Sequence, residues 1–176
     1  MHRLLLAAAL LPMAVTPAFA LDLKSQDVAT GESFAARFVC PDQGGKNISP
    51  ELSWSGAPAA TKSFALTMFD PDAPNGGFLH WAVVDIPAAT TSLPQNAGAA
   101  GTPPGGGSGY PNGVGHAFYD GPCPPAGPAH HYHITVYAMP GAHAGIPPDT
   151  GPRGVTIWLK KHALAAAEIV PVFGKK

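Results

Sequence analysis

The stretch FALTMFDPDAPNGGFLHWAVVDIP, residues 64–87, carries two carboxylates, Asp70 and Asp72, and an imidazole, His80. Some 50 residues later HHYHITVYAM, residues 130–139, carries His130, His131, Tyr132 and His133. Aspartate, histidine and tyrosine can do three things together. Imidazole N–H and phenol O–H groups can donate to the oxygens of a phosphate or carboxylate, with Asp70 orienting a histidine. Histidines at alternate positions, such as His131 and His133, share one strand face and can ligate zinc. Histidine and tyrosine can also serve as acid and base in hydrolysis.

Two of these uses lack a partner in the sequence. Hydrolysis needs an activated nucleophile, and GGSGY at 106–110 has neither the final glycine of a nucleophile elbow nor a strand before it. A zinc site needs three or four convergent ligands, whereas alternation separates His130 and Tyr132 from His131 and His133. The anion pocket leads, with the metal site and hydrolysis open beside it, and no cofactor is called for. His131, His133, His143 and His162 read as ordinary polar residues.

The elements that must position these groups are strands. Phe64, Leu66 and Met68 alternate with Ala65 and Thr67, the pattern of a half-buried strand. DPDAPNGG breaks it with two prolines and an Asn-Gly pair. A second strand over 80–86 places His80 with Ala82, Val84 and Ile86 on an inward face and turns Trp81 away. In 130–139, His130, Tyr132, Ile134 and Val136 form the inward face. Further strands are expected over 34–40 and at 52–55 with Trp54, while 21–28 opens the sheet and 116–119 is extended. Residues 87–115, dense in glycine and proline, form a long surface loop of the kind that is functional or mobile. VTIWLKKHALAAAE, residues 155–168, reads as the one helix, with Ile157, Leu164 and Ala165 on its inward side.

Composition narrows the function classes. Charged residues are 12% of the chain, about half the usual share, and the net charge is −1, so there is no basic footprint for nucleic acid or an anionic membrane. Glycine and proline number 21 each. With strongly apolar segments between them, this marks a loop-rich β protein. Residues 1–20, MHRLLLAAALLPMAVTPAFA, have a positive start, an apolar run and an A-x-A box, the layout of a secretory signal peptide. Residues 21–176 fit a single domain in the periplasm or outside the cell, with no stretch among them able to span a membrane. The two cysteines, Cys40 and Cys123, form a disulfide in such a compartment, the alternative being two buried thiols.

DPDAP at 70–74, HW at 80–81, GPCPP at 121–125 and HHY at 130–132 resemble the signature of the phosphatidylethanolamine-binding protein family. NISPELSW at 47–54 and TKSFALTMFDPDAP at 61–74 are similar to its bacterial branch, the Raf-kinase-inhibitor-like proteins. The resemblance implies a large antiparallel sheet packed on a smaller one, a β-sandwich with a C-terminal helix. It also implies a small anion pocket lined by Asp70, Asp72, His80, His130 and Tyr132, with Pro74 and the Gly121–Pro122 turn in its wall. It implies binding, of a small anion or phospholipid head group, and not catalysis. A protein partner such as a serine protease, and a homodimer, are further implications, and action on a phospho-substrate is a weaker one. Export excludes a cytosolic kinase as target. The chain departs from the family at the middle of the H-x-Y motif, where His131 replaces a frequent arginine, and in the glycine-rich segment 97–109.

Overall fold

A computed structural model describes residues 20–174. The signal peptide expected over 1–20 lies, but for Ala20, outside them. The strands are β1 (Asp22–Lys24), β2 (Leu52–Ser55), β3 (Ser63–Asp70), β4 (Phe78–Pro87), β5 (Ser92–Leu93), β6 (Ser108–Gly109), β7 (His130–His131) and β8 (His133–Met139). Helix α1 (Pro152–His162) comes next in the chain, then β9 (Ala165–Ile169) and β10 (Val172–Phe173). A five-stranded antiparallel sheet, ordered β6-β4-β3-β8-β9, faces a three-stranded antiparallel sheet, β1-β2-β5, and β10 pairs with β7 in a small ribbon. The protein is thus mainly β, a large sheet on a smaller one with a helix near the C-terminus.

Two apolar layers explain why the central strand is buried on both faces. Phe64, Leu66 and Met68 of β3 meet Leu23, Leu52, Trp54 and Leu93 of the small sheet. Ala65 points the other way, into a second cluster with Leu79, Ala82, Val84, Tyr137 and the helix residues Val155 and Leu159. The half-buried strand read from alternation is therefore a fully covered one, because the helix closes the face left open in a two-sheet sandwich.

Four local expectations fail for identifiable reasons. Segment 34–40 is not a strand: Ala36–Phe38 is a short 3-10 turn, and pairing shrinks to a bridge between Ser33 and Val172. Residues 116–119 bend instead of extending, drawn round Asn112, whose backbone N–H donates to His116 O. The helix stops at His162, and Ala165–Ile169 becomes the edge strand β9 on β8. Alanine's helix propensity there yields to cross-strand pairing. The helix buries Val155 and Leu159, while Ile157 and Leu164 are exposed.

Parity in β4 is broken twice. Leu66 pairs with Val83 and Phe64 with Ile86, so one extra residue is accommodated near Asp85, which has φ 59°. Ile86 accordingly joins Trp81 and Val83 in the layer between the sheets, while Ala82 and Val84 face the helix. At the other end Met68 pairs with Trp81 and Phe69 with Leu79, leaving His80 as an extra residue without a partner on β3. Among the described residues no helix is long and apolar enough to cross a membrane.

Candidate functional site

The DPDAPNGG turn builds the first wall. At the end of β3, Asp70 Oδ1 accepts the backbone N–H groups of Asp72 at 2.9 Å and Ala73 at 3.1 Å, an Asx-type cap on the tight turn. Asn75, Gly76 and Gly77 have positive φ, which explains the Asn-Gly-Gly run. The second oxygen, Oδ2, is left to face inward, where it accepts a 2.7 Å hydrogen bond from His130 Nδ1. Burial works against ionisation of Asp70, but the imidazoles of His80 and His130 and the Asp72 amide outweigh it and hold the carboxyl below the ordinary aspartate range. At 3.9 Å His80 Nε2 is beyond hydrogen-bond reach, so the directional contact is the one from His130.

His80 owes its direction to the bulge. Simple alternation would send it to the helix side with Ala82 and Val84. As the extra residue it instead lies edge-on to Tyr132 at 5.2 Å and to Phe78 at 4.7 Å. Its Nδ1 lies 2.8 Å from the backbone oxygen of Asp120, and a carbonyl can only accept, so Nδ1 carries the proton. Its Nε2 is buried and has no hydrogen-bond partner.

His130 and Tyr132 are held by a partner the sequence did not reveal. His130 pairs with Phe173 and His131 with Val172, while the Tyr132 N–H donates to Pro171 O at 2.9 Å. The C-terminal strand thus splits the expected 130–139 strand into β7 and β8 at Tyr132. The expected faces survive: Tyr132, Ile134 and Val136 are buried between the sheets. The Tyr132 hydroxyl is buried without a partner. Burial, with Asp70 and Asp72 nearby, pushes this phenol far above its ordinary range, so it remains a neutral O–H donor.

Asp70, Pro74, His80 and His130 line one cavity of about 260 Å³ together with Ala73, Phe78 and Cys123–Pro124–Pro125. Four of the expected residues are thus brought together, and Tyr132 packs against His80 behind them. Asp72 is not on that wall. It turns outward and accepts from the backbone N–H and Nδ1 of His131, both at 2.8 Å, which lower its pKa, and its side chain is 42% exposed. Gly121 and Pro122 do not line the cavity either; they fix the segment that does. The Gly121 N–H donates to Asn47 Oδ1 at 2.6 Å, and Pro122 O accepts from Cys40 N at 3.1 Å. A Cβ at Gly121 would collide with the Phe38 carbonyl, so only glycine fits. Cys40 and Cys123 are disulfide-bonded, with Cα atoms 5.5 Å apart, and this pins the proline wall to the 3-10 turn.

Phe78, Pro124 and Asn112 were not anticipated. Phe78 stands one pleat before His80, and Pro124 directly follows the cysteine, so both were legible as wall residues. Asn112 sat in a loop without any periodic signal. It is buried, and its amide donates to Asp120 Oδ2 at 2.6 Å and to His80 O at 3.3 Å.

A second cleft of about 230 Å³ opens on the helix side of the large sheet, among Thr67, His133, Thr135, Tyr137, Lys160 and Glu168. Its polar groups largely satisfy one another: His133 Nδ1 and Thr135 Oγ1 both reach Glu168 Oε2 at 3.0 Å. The cavity at Asp70 differs in holding buried polar atoms with no partner, and that makes it the better candidate. His131 and His133 pair with different carboxylates, Asp72 and Glu168, and among the described residues no three His, Cys, Asp or Glu converge as metal ligands.

Comparison with known proteins agrees with this architecture. The phosphatidylethanolamine-binding protein family profile matches residues 24–174. The YbcL protein of Escherichia coli is 43% identical over 165 residues, spanning 89% of this chain and 88% of its own. YbhB of the same organism is 39% identical, over 87% of this chain and 99% of its own. Neither name specifies a reaction. The crystal structure of YbcL, reported as a member of the mammalian PEBP family, superposes with a TM-score of 0.81 at 40% identity, covering 89% of this chain and 99% of that one. A homologue from Chlamydia trachomatis superposes at 0.73 with 26% identity, covering 90% and 99%. The chain belongs to the phosphatidylethanolamine-binding protein family.

Proposed function

We propose that this is an exported, non-enzymatic binding protein that holds a small anion, such as phosphate or a phosphoryl head group, in the cavity of Asp70, His80 and His130. One observation carries the reading: His80 Nε2 and the Tyr132 hydroxyl are buried without partners beside a cavity walled by proline and phenylalanine. Buried polar groups are rarely left unsatisfied, and a ligand rich in acceptor oxygens would satisfy the Tyr132 O–H, and His80 Nε2 once that nitrogen carries a proton. The aromatic and proline walls exclude water and strengthen such bonds. Asp70 orients His130 and supplies a counter-charge.

The sulfur in the cavity wall is not a free thiol, since Cys123 is bonded to Cys40, and holding an anion calls for no nucleophile and no cofactor. Export is supported by the apolar residues 1–20, by the disulfide, and by a Mycobacterium tuberculosis relative, 40% identical over 142 residues, whose name includes the word lipoprotein. Calorimetric titration with phosphate and phosphoethanolamine tests the pocket. Saturable binding is expected in the millimolar range or tighter, weakened about tenfold or more by His130→Ala, the scale of one lost charge-assisted hydrogen bond. Absence of heat at several millimolar in both proteins would refute the reading.

A further inference from the structure

The donor inventory of the cavity sets a condition on any anion that enters. Both imidazoles are committed through Nδ1. His80 Nδ1 meets the Asp120 carbonyl, which only accepts, and His130 Nδ1 meets Asp70 Oδ2, which only accepts when ionised. A neutral imidazole has one N–H, so each ring then offers the cavity a bare Nε2 lone pair. Asp70 is the one acidic residue in the wall, and no lysine or arginine accompanies it. With neutral histidines the lining therefore carries a charge of −1 and two lone pairs, which repels an oxyanion. Resting on the anion reading, we infer that an oxyanion binds here only with uptake of at least one proton, which converts an Nε2 lone pair into an N–H donor and cancels the Asp70 charge.

The lock on His80 has its own support. Asp120 is held by its backbone N–H on His80 O at 3.1 Å and by its carboxylate on the Asn112 amide. Asn112 also donates to Phe118 O, and its Oδ1 accepts from the backbone of Val114 and His116 at 3.0 Å each. Its side chain thus ties the carbonyl that fixes the His80 tautomer to the turn at 112–116, which makes it a positioning residue. The titratable and charged groups around the site are Asp70 from β3, Asp72 of the turn with its partner His131, His130 from β7, Tyr132 between β7 and β8, Arg153 of α1, whose guanidinium lies against Gly76 on the outer side of the turn, and Asp120, with His116 bonded to the outer side of its carboxylate at 2.9 Å. Asp120 presents its backbone oxygen to His80 and its carboxylate to Asn112 and His116, so its charge is already shared outside the cavity.

Sulfate is the clean probe, because it carries two charges and does not itself titrate near neutrality. Calorimetry at pH 6, 7 and 8, each in two buffers of different ionisation heat, reads affinity and proton uptake together. Affinity is expected to fall as pH rises from 6 to 8, by about tenfold per unit wherever a whole proton is taken up per sulfate. Equal affinity at pH 6 and 8 with buffer-independent heat would overturn the inference and leave the anion pocket standing. No sulfate binding at any pH would remove the anion reading itself, and the inference with it. In ligand-free protein the imidazole nitrogen shifts should report Nδ1–H for neutral His80 and His130, and Nε2–H at either would also overturn it. Asn112→Ala, or Asn112→Ser should the alanine variant not fold, should mix the His80 tautomers and lower the proton uptake. Unchanged nitrogen shifts would contradict the positioning role.

Discussion

His130 and His131 are neighbours, and each bonds through Nδ1 to an aspartate of the same turn, Asp70 at 2.7 Å and Asp72 at 2.8 Å. The residue types match, the distances match, and the environments differ. The His130–Asp70 side chains are 12% and 3% exposed, against 56% and 42% for His131–Asp72. Strand alternation does this: one residue along β7 moves the imidazole from the cavity wall to solvent. Asp70 caps its turn with one oxygen and aims the other inward, whereas Asp72 spends one oxygen on the backbone and side chain of His131. Burial, not residue identity, therefore separates a candidate site from a surface ion pair, and the departure of His131 from the family's frequent arginine falls on the solvated side.

The difference can be broken from the largest effect downward. Replacing both Cys40 and Cys123 with serine opens a loop of sequence separation 83. It should cost about 4 kcal/mol, read as a lower urea midpoint, and should loosen the Pro124–Pro125 wall beside the buried pair. Asp70→Asn comes next. It leaves an amide that cannot serve both the turn N–H groups and His130, and should cost about 3 kcal/mol as a broken buried pair. Thermal unfolding checks it.

Acid sharpens the contrast further. The Asp70 pKa is depressed on folding, so its contribution to stability is complete above the ordinary aspartate value and is lost as pH falls through the lower folded value. Wild type should lose stability as pH falls below the ordinary aspartate value of about 4 in urea melts, and Asp70→Asn should show a shallower slope there. Asp72→Asn should be the mildest change, within about 1 kcal/mol, because solvent screens an exposed pair. An Asp72 effect equal to that of Asp70 would erase the distinction.

Much of the site was legible in the sequence because it depends on local chemistry. DPDAP announces a turn whose first aspartate caps it, and alternation over 130–136 gave an inward set of which Tyr132, Ile134 and Val136 are buried between the sheets and His130 lines the cavity. The failures are non-local. Nothing in VPVFG at the C-terminus signals that it pairs with His130 and His131, and nothing in ALAAAEI signals an edge strand. His80 reached its place through a bulge, which period-2 counting cannot see. Expecting it on an inward face was right in outcome, but grouping it with Ala82 and Val84 was not. Asp72 came from its residue type and place in the turn, and Gly121 and Pro122 from motif resemblance; all three sit next to the cavity wall instead of on it, because neither residue type nor motif marks which side chain of a segment points inward.

The most direct measurement is a crystal structure of the protein grown or soaked with phosphoethanolamine. The expected result is a phosphoryl group in the Asp70 cavity, with its oxygens within hydrogen-bond distance of Nε2 of His80 or His130. A phosphoryl group seated instead in the cleft of Lys160 and Glu168, or an Asp70 cavity still empty at saturating ligand, would contradict it.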